Sequence, residues 1–369
     1  MQAASAVSAT SATVRCSWRG PARGSDEPVR ATIIIPTYQS AATLARAIQS
    51  AVDQTMRDIE IIVADDGSTD ATWPMIEDWL DREPRLRALR NEHNCGKSAM
   101  MNCATSFARG RWIAVLDADD WYHPERLAAL VAIGERRNVA MVADNQLLYD
   151  AAADTVVGAA WPSADADWKL SFDDYLVGAN AYDSFNFGML KPIVRTEFVR
   201  ASRLAYDERA RFSEDYLYLL ELFARGGDAA VSDTPYYFYT QPFGAVSHRW
   251  SNSTRRRYDF RAARDLVRSH LHKIAGRLSP RQTKFVARTC WRLASLENYF
   301  SAKESLKRKG WRAFVTRLVT HPSSFDYALH RLLERQSVSA AERVATQSRR
   351  RAIRAREAPR MRVAAHAKH

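Results

Sequence analysis

A chain of 369 residues, 46% hydrophobic and 26% charged, has enough apolar surface to offset the ordering entropy of folding, which excludes a disordered, collagen-like or disulfide-scaffold protein. Its formal charge of +12 is unevenly placed: residues 251–369 hold 29 Lys or Arg against 8 Asp or Glu, and residues 1–250 hold 25 against 34. The basic part implies a polyanionic neighbour, nucleic acid or the anionic face of a membrane, and the acidic part is where carboxylate chemistry is expected.

Residues 1–30, rich in Ala, Ser and Thr and without the apolar region of a secretory signal, are expected to be a disordered leader, with a transit peptide or a misassigned start as lesser alternatives. Four irregularly spaced cysteines, Cys16, Cys95, Cys103 and Cys290, argue for a reducing, cytoplasmic compartment. No stretch approaches the roughly 18 consecutive apolar residues of a membrane span.

The β-branched run Ala31 to Ile35 predicts a strand buried on both faces, followed by a helix through Leu44, Ala47, Ile48, Ala51 and Val52 that Ser40 or Thr43 can cap. The pattern repeats: Ile59 to Val63, then Trp73 to Leu80; Leu86 to Leu89, then Ser98 to Phe107; Trp112 to Leu116, then Pro124 to Arg137. Such alternation specifies a mainly parallel α/β sheet flanked by helices, with ligands at the carboxyl ends of the strands. The polar residues following those strands, Tyr38, Asp65, Asp66, Asn94, Lys97, Asp117, Asp119 and Asp120, should share one crevice. After Val139 to Ala143 the pattern becomes irregular and aromatic, and residues 146–250 are expected to shape the second half of that crevice. From Arg255 onward the chain reads as helices with basic faces, broken at Pro280 and Pro322.

Asp117, Asp119 and Asp120 crowd the end of a buried strand, where like charges need a proton or a cation between them; hard oxygen donors call for Mg²⁺ or Mn²⁺. The plainer alternative is a helix-capping cluster before Pro124, and a capped loop is likewise the plainer account of Asp65-Asp66. Gly96-Lys97-Ser98 is not a phosphate loop, because position 91 is Asn rather than Gly. The spacing of His93, Cys95 and Cys103 matches no structural zinc site.

The ordered set Ile35-Pro36-Thr37-Tyr38, Val63-Ala64-Asp65-Asp66-Gly67-Ser68-Thr69-Asp70, Asn94-x-Gly96 and Leu116-Asp117-Ala118-Asp119-Asp120 resembles the family 2 glycosyltransferases, inverting nucleotide-sugar enzymes of the GT-A fold, over about residues 31–250. Phe187-Gly188-Met189-Leu190-Lys191-Pro192 and Ser213-Glu214-Asp215-Tyr216 are similar to the branch containing bacterial exopolysaccharide glucosyltransferases of the succinoglycan type. The resemblance implies that Pro36 and Tyr38 flank a uracil ring and that Asp66, with Asp65, contacts base or ribose. Asp117 and Asp119 would face the ribose and a metal-bound diphosphate, Asp119 first as ligand, with Asp120 close by. Glu214-Asp215 would open a helix beside the acceptor, with Asp215 as general base; a structural cap is the alternative.

Two departures are informative. Met101-Asn102 stands where the family commonly has Arg-Asn, so Lys97 is the substitute cation for the diphosphate, unless it is a solvated surface lysine. His248-Arg249-Trp250 lies where relatives place a closing loop, with Arg249 or His248 facing phosphate, but the longer form found in processive synthases is absent. The implied activity is a single transfer from a UDP-sugar, glucose first and galactose, glucuronate or N-acetylglucosamine as alternatives, to a lipid-linked saccharide during surface polysaccharide assembly.

The basic region 251–369 carries Trp291, Phe300, Trp311 and Phe314 at helical spacing, which suits attachment to the anionic inner leaflet better than base stacking, so nucleic acid is not expected as a partner. Packing of these helices on the acidic domain ranks second. A non-catalytic polyanion-binding protein is the rival to the enzyme.

Overall fold

The computed structural model describes residues 16–19, 28–164, 166–180, 186–242, 244, 246–247 and 259–320. The predicted alternation is present. The strand β1 (Cys16–Arg19) is followed by β2 (Ala31–Thr37), α1 (Leu44–Val52), β3 (Ile59–Asp65), α2 (Thr72–Arg82), β4 (Leu86–Asn91), α3 (Lys97–Phe107), β5 (Trp112–Val115), the short β6 (Trp121–Tyr122) and α4 (Arg126–Arg137). The strands β2 and β3 are buried along their whole length, as continuous apolar runs covered on both faces require. The inward stripe of α1 is Leu44, Ala47, Ile48 and Ala51. Thr43 occupies its N-cap without a side-chain hydrogen bond; the main-chain carbonyl of Ser40 receives the Thr43 and Leu44 amides instead.

The second half is built differently. It comprises β7 (Met141–Asp150), β8 (Thr155–Ala159), β9 (Asp167–Leu170), α5 (Phe172–Gly178), a 3₁₀ turn Phe187–Met189, β10 (Ile193–Arg195), α6 (Thr196–Ser202), α7 (Glu214–Ala224) and β11 (Ala229–Thr240). Among the described residues the eleven strands form one sheet in the order β1-β4-β3-β2-β5-β10-β7-β11-β6, with β8 on β7 and β9 on β11. The run β4-β3-β2-β5 is parallel. Antiparallel β10 then joins β5 to β7, and β7 and β11 are parallel to each other.

Two boundaries differ from expectation. Cys16–Arg19, inside the segment read as a disordered leader, pairs antiparallel with β4, and Trp18 stacks on Phe107 at 4.9 Å. The helix α8 (Phe260–Ile274), assigned by its basic character to a separate tail, belongs to a compact unit ending at Cys290; Trp291 begins a second unit. The reason is an apolar stripe, Ala263, Leu266, Val267 and Ile274, which is buried, while Arg261, Arg268 and Lys273 are exposed. The helix α9 (Pro280–Thr320) starts on the expected proline, whose missing N–H costs nothing in a first turn, and is interrupted at Gly310, where φ is +80°. Pro322 and the last 49 residues lie outside the described part.

Candidate active site

Each functional side chain is placed by the end of a strand or the start of a helix. Asp65 closes β3 with a fully buried carboxylate that accepts the Ser68 amide at 3.2 Å and lies 3.7 Å from Arg90; burial pushes its pKa up against those contacts. Asp66 accepts the amides of Cys95 (2.8 Å) and Gly96 (2.7 Å), one on each carboxylate oxygen. This clamp fixes the loop before α3, in which Gly96 has φ +96°, and delivers Lys97 at the first position of the helix. The Arg211 guanidinium lies over the same glycine: a Cβ there would come within 1.4 Å of its Nη1. The Cys95 thiol, half-buried and 3.2 Å from Asp66, is pushed up to about 12, which removes it as a nucleophile at neutral pH.

Asp117 and Asp215, which lie in different halves of the sequence, meet across two ammonium groups. Lys97 Nζ is 2.8 Å from Asp117 and 3.4 Å from both Glu214 and Asp215. Lys191 Nζ is 2.7 Å from the other oxygen of Asp117 and 2.5 Å from Asp215. Three carboxylates thus share two cations. Burial would favour the neutral acid, yet Lys191 and Lys97 hold the Asp117 carboxyl far below the usual range; conversely, Asp117 and Asp215 lead the carboxylates that keep Lys97 protonated despite its partial desolvation. Glu214 and Asp215 sit in the first turn of α7 after Ser213, which adopts a left-handed φ of +63°. Since Asp215 is bonded to two lysines, capping is not an adequate account of it.

One expectation needs correction. Asp120 does not face the crevice: it is 1% exposed and accepts the Tyr237 hydroxyl (2.6 Å) and the Thr240 amide (2.7 Å), so it fastens β11 behind the loop. Asp117, expected beside Asp119 as a cation ligand, faces Lys97 with one oxygen and Lys191 with the other. Among the described residues no three His, Cys, Asp or Glu cluster as a metal site. A magnesium-type ion needs only one or two carboxylates when phosphate oxygens and water complete its shell, and half-buried Asp119 fits that requirement by donor chemistry.

Pro36 is buried in β2 opposite Ala64, and Tyr38 follows half-buried at the strand's end. Between them the Thr37 hydroxyl is buried with no partner among the described residues, an unsatisfied group at the rim where a nucleotide is expected. His248 and Arg249 lie outside the described residues. A cavity of about 910 Å³ opens elsewhere, at the amino-terminal edge of the sheet near Val29, Arg30 and Arg111, away from every one of these carboxylates. Sequence reading missed roles for Lys191 and Arg211. No repeat or spacing marks either, and their proximity to the carboxylates exists only in three dimensions.

A parallel four-stranded run, an antiparallel strand before the second parallel pair, and carboxylates at the strand ends define a GT-A glycosyltransferase fold. Residues 32–163 match the family model for glycosyl transferase family 2, and the chain carries a domain of that family. It is 32% identical over 217 residues to the succinoglycan biosynthesis protein ExoO of Rhizobium meliloti, covering 58% of this chain and 62% of the relative. It is also 36% identical over 108 residues, 29% of this chain and 42% of the relative, to WfaP of Escherichia coli, a UDP-Glc:alpha-D-GlcNAc-diphosphoundecaprenol beta-1,3-glucosyltransferase. The chain therefore spans less than two thirds of the length of these relatives. Among solved structures, S. aureus TarS 1–349 aligns at TM-score 0.53 and 19% identity, covering 79% of each chain. The mannosyltransferase PcManGT of Pyrobaculum calidifontis, solved with GDP-Man and Mn²⁺, aligns at 0.50 and 18%, covering 83% of this chain and 81% of its own. At such identities these two likenesses bear on the fold alone.

Proposed function

We propose that the chain is an inverting glycosyltransferase that moves a sugar, glucose first among the candidates, from a UDP-sugar onto a lipid-linked saccharide in exopolysaccharide assembly at the cytoplasmic face of the cell membrane. The observation that carries this reading is the meeting of Asp117 with Glu214 and Asp215 around Lys97, which joins a donor side to an acceptor side. Asp215 accepts the proton of the acceptor hydroxyl as that oxygen attacks the anomeric carbon, opposite the departing diphosphate. Lys97, a quarter exposed at the mouth of the cluster, is the cation within the chain's own loop that can turn to the diphosphate. Asp119 would hold Mg²⁺ or Mn²⁺, whose chemistry when bound is to offset charge on the leaving group. Thr37 offers an unsatisfied hydroxyl and half-buried Tyr38 a ring face for the uridine, next to buried Pro36.

The names of the relatives support the donor and acceptor classes, since one is a UDP-glucose enzyme with a lipid diphosphate acceptor. Attachment to an anionic leaflet is supported by Trp311, Val315 and Val319, exposed by 65%, 43% and 65% and spaced four residues apart after the Gly310 break, in a stretch that also carries Arg312 and Arg317. No helix among the described residues is long and apolar enough to cross a membrane.

Thermal unfolding in a panel of nucleotide sugars tests the assignment. UDP-glucose with Mg²⁺ or Mn²⁺ is expected to raise Tm, and Asp119→Asn to abolish the metal-dependent part. If every UDP compound leaves Tm unmoved, the reading fails. Co-sedimentation with anionic vesicles should weaken as salt rises; binding that ignores lipid charge and salt excludes the membrane role.

A further inference from the structure

We propose that Lys191 is a positioning residue, holding the base Asp215 at a set distance from the donor-side Asp117. The inference rests on the transferase reading above. Lys191 is only 5% exposed, and an ammonium group so buried is strongly unfavourable unless its donors are used. Two of its three N–H groups point at Asp117 and Asp215, at 2.7 and 2.5 Å.

The residue is anchored at its other end as well. Its main-chain carbonyl accepts a hydrogen bond from Arg126, itself fully buried and bound to Asp144 through Nε (3.1 Å) and Nη2 (2.7 Å). The segment leading to it is short and constrained. In the 3₁₀ turn Phe187–Met189 the Gly188 amide bonds to Asn186, and a Cβ on Gly188 would lie 3.2 Å from Tyr216 Cβ on α7; Pro192 follows. Carbonyl and ammonium are therefore each held, one by Arg126 and the other by Asp117 and Asp215, and Lys191 acts as a strut between them. Lys97 differs: its side chain is 25% exposed against 6% for Lys191. Lys97 can exchange carboxylates for an incoming diphosphate, whereas Lys191 stays behind the base and never reaches the donor.

The two lysines should thus separate kinetically. Lys191→Met is expected to lower kcat on the order of a hundredfold, the scale of a displacement of about 1 Å, while the Kd for UDP measured by calorimetry stays within about threefold. Lys97→Met should chiefly raise the donor KM. In Lys191→Ala, which leaves room for a soluble amine, propylammonium chloride should restore rate where equal sodium chloride does not, and should do nothing for Asp215→Asn. The inference is overturned if Lys191→Met turns over at the wild-type rate. It is equally overturned if rate, UDP affinity and Tm fall together without amine rescue, which is what a purely structural lysine gives; should Lys191→Met not fold, the Lys191→Ala rescue decides alone. Wild-type protein that transfers from no nucleotide sugar would instead defeat the parent reading.

Discussion

The two ends of the central sheet handle charge in opposite ways. At the amino-terminal end Glu60 is fully buried, and each of its oxygens is used: one accepts the Thr32 hydroxyl (2.7 Å) and the Arg109 amide (2.6 Å), the other Arg87 (2.9 Å) and Arg109 (3.0 Å). At the carboxyl-terminal end three carboxylates share two lysine ammonium groups. Guanidinium forks are planar and directional and lock a carboxylate in place, whereas an ammonium is a point charge on a flexible stem. One end is built to persist. The other holds surplus negative charge that a substrate or cation can rearrange.

Breaking the active end should cost activity without stability. Asp215→Asn is expected to slow transfer by roughly a hundredfold or more at unchanged UDP affinity, read from initial rates and calorimetry. The opposite end should show the reverse: Glu60→Gln leaves two partly buried arginines without their carboxylate and should cost about 3 kcal/mol in urea unfolding, with donor affinity intact. Loss of donor binding in Glu60→Gln, or of stability alone in Asp215→Asn, would erase the distinction.

A smaller effect sharpens it. Gly96→Ala forces a side chain onto φ +96° and against Arg211, so about 1–3 kcal/mol of strain should appear as weaker UDP binding together with a lower Tm. The smallest concerns His270 on α8, whose Nδ1 and Nε2 lie 2.7 Å from Glu221 and 2.9 Å from Asp207. Carboxylates only accept, so both ring nitrogens carry protons, and Glu221, opposed by burial and then aided by Asp207, raises the imidazole pKa. A raised folded-state value means that the clamp is fully stabilising below about pH 6.5 and is lost as pH rises through the folded pKa. Tm measured from pH 5.5 to 9 should therefore fall for the wild type by more than for His270→Gln.

Much of the first half was legible because its information is local. A run such as Ala31 to Ile35 can only be a strand covered on both faces, and an acidic turn after such a run lands at the rim of the sheet. The second half resisted. The strand β11 pairs with β7 across register shifts near Pro235, and the three-residue β10 has no periodicity to detect. The acidic pair opening α7 was readable from its motif, but the lysine meeting it was not: Lys191 is one cation in a Phe-Gly-Met-Leu-Lys-Pro string, and nothing in that string specifies burial. Asp120 was misplaced for a related reason. Aspartates three positions apart look equivalent in sequence, while the turn sends Asp117 toward the lysines and Asp120 toward Tyr237.

The strand Cys16–Arg19 has a practical meaning for anyone shortening this protein. By pairing along β4 from Cys16 opposite Asn91 to Arg19 opposite Ala88, it occupies a row of amides and carbonyls that would otherwise invite a neighbouring molecule to add itself. A version trimmed to begin at Pro28 keeps every catalytic candidate yet bares that flank, and should self-associate with rising concentration.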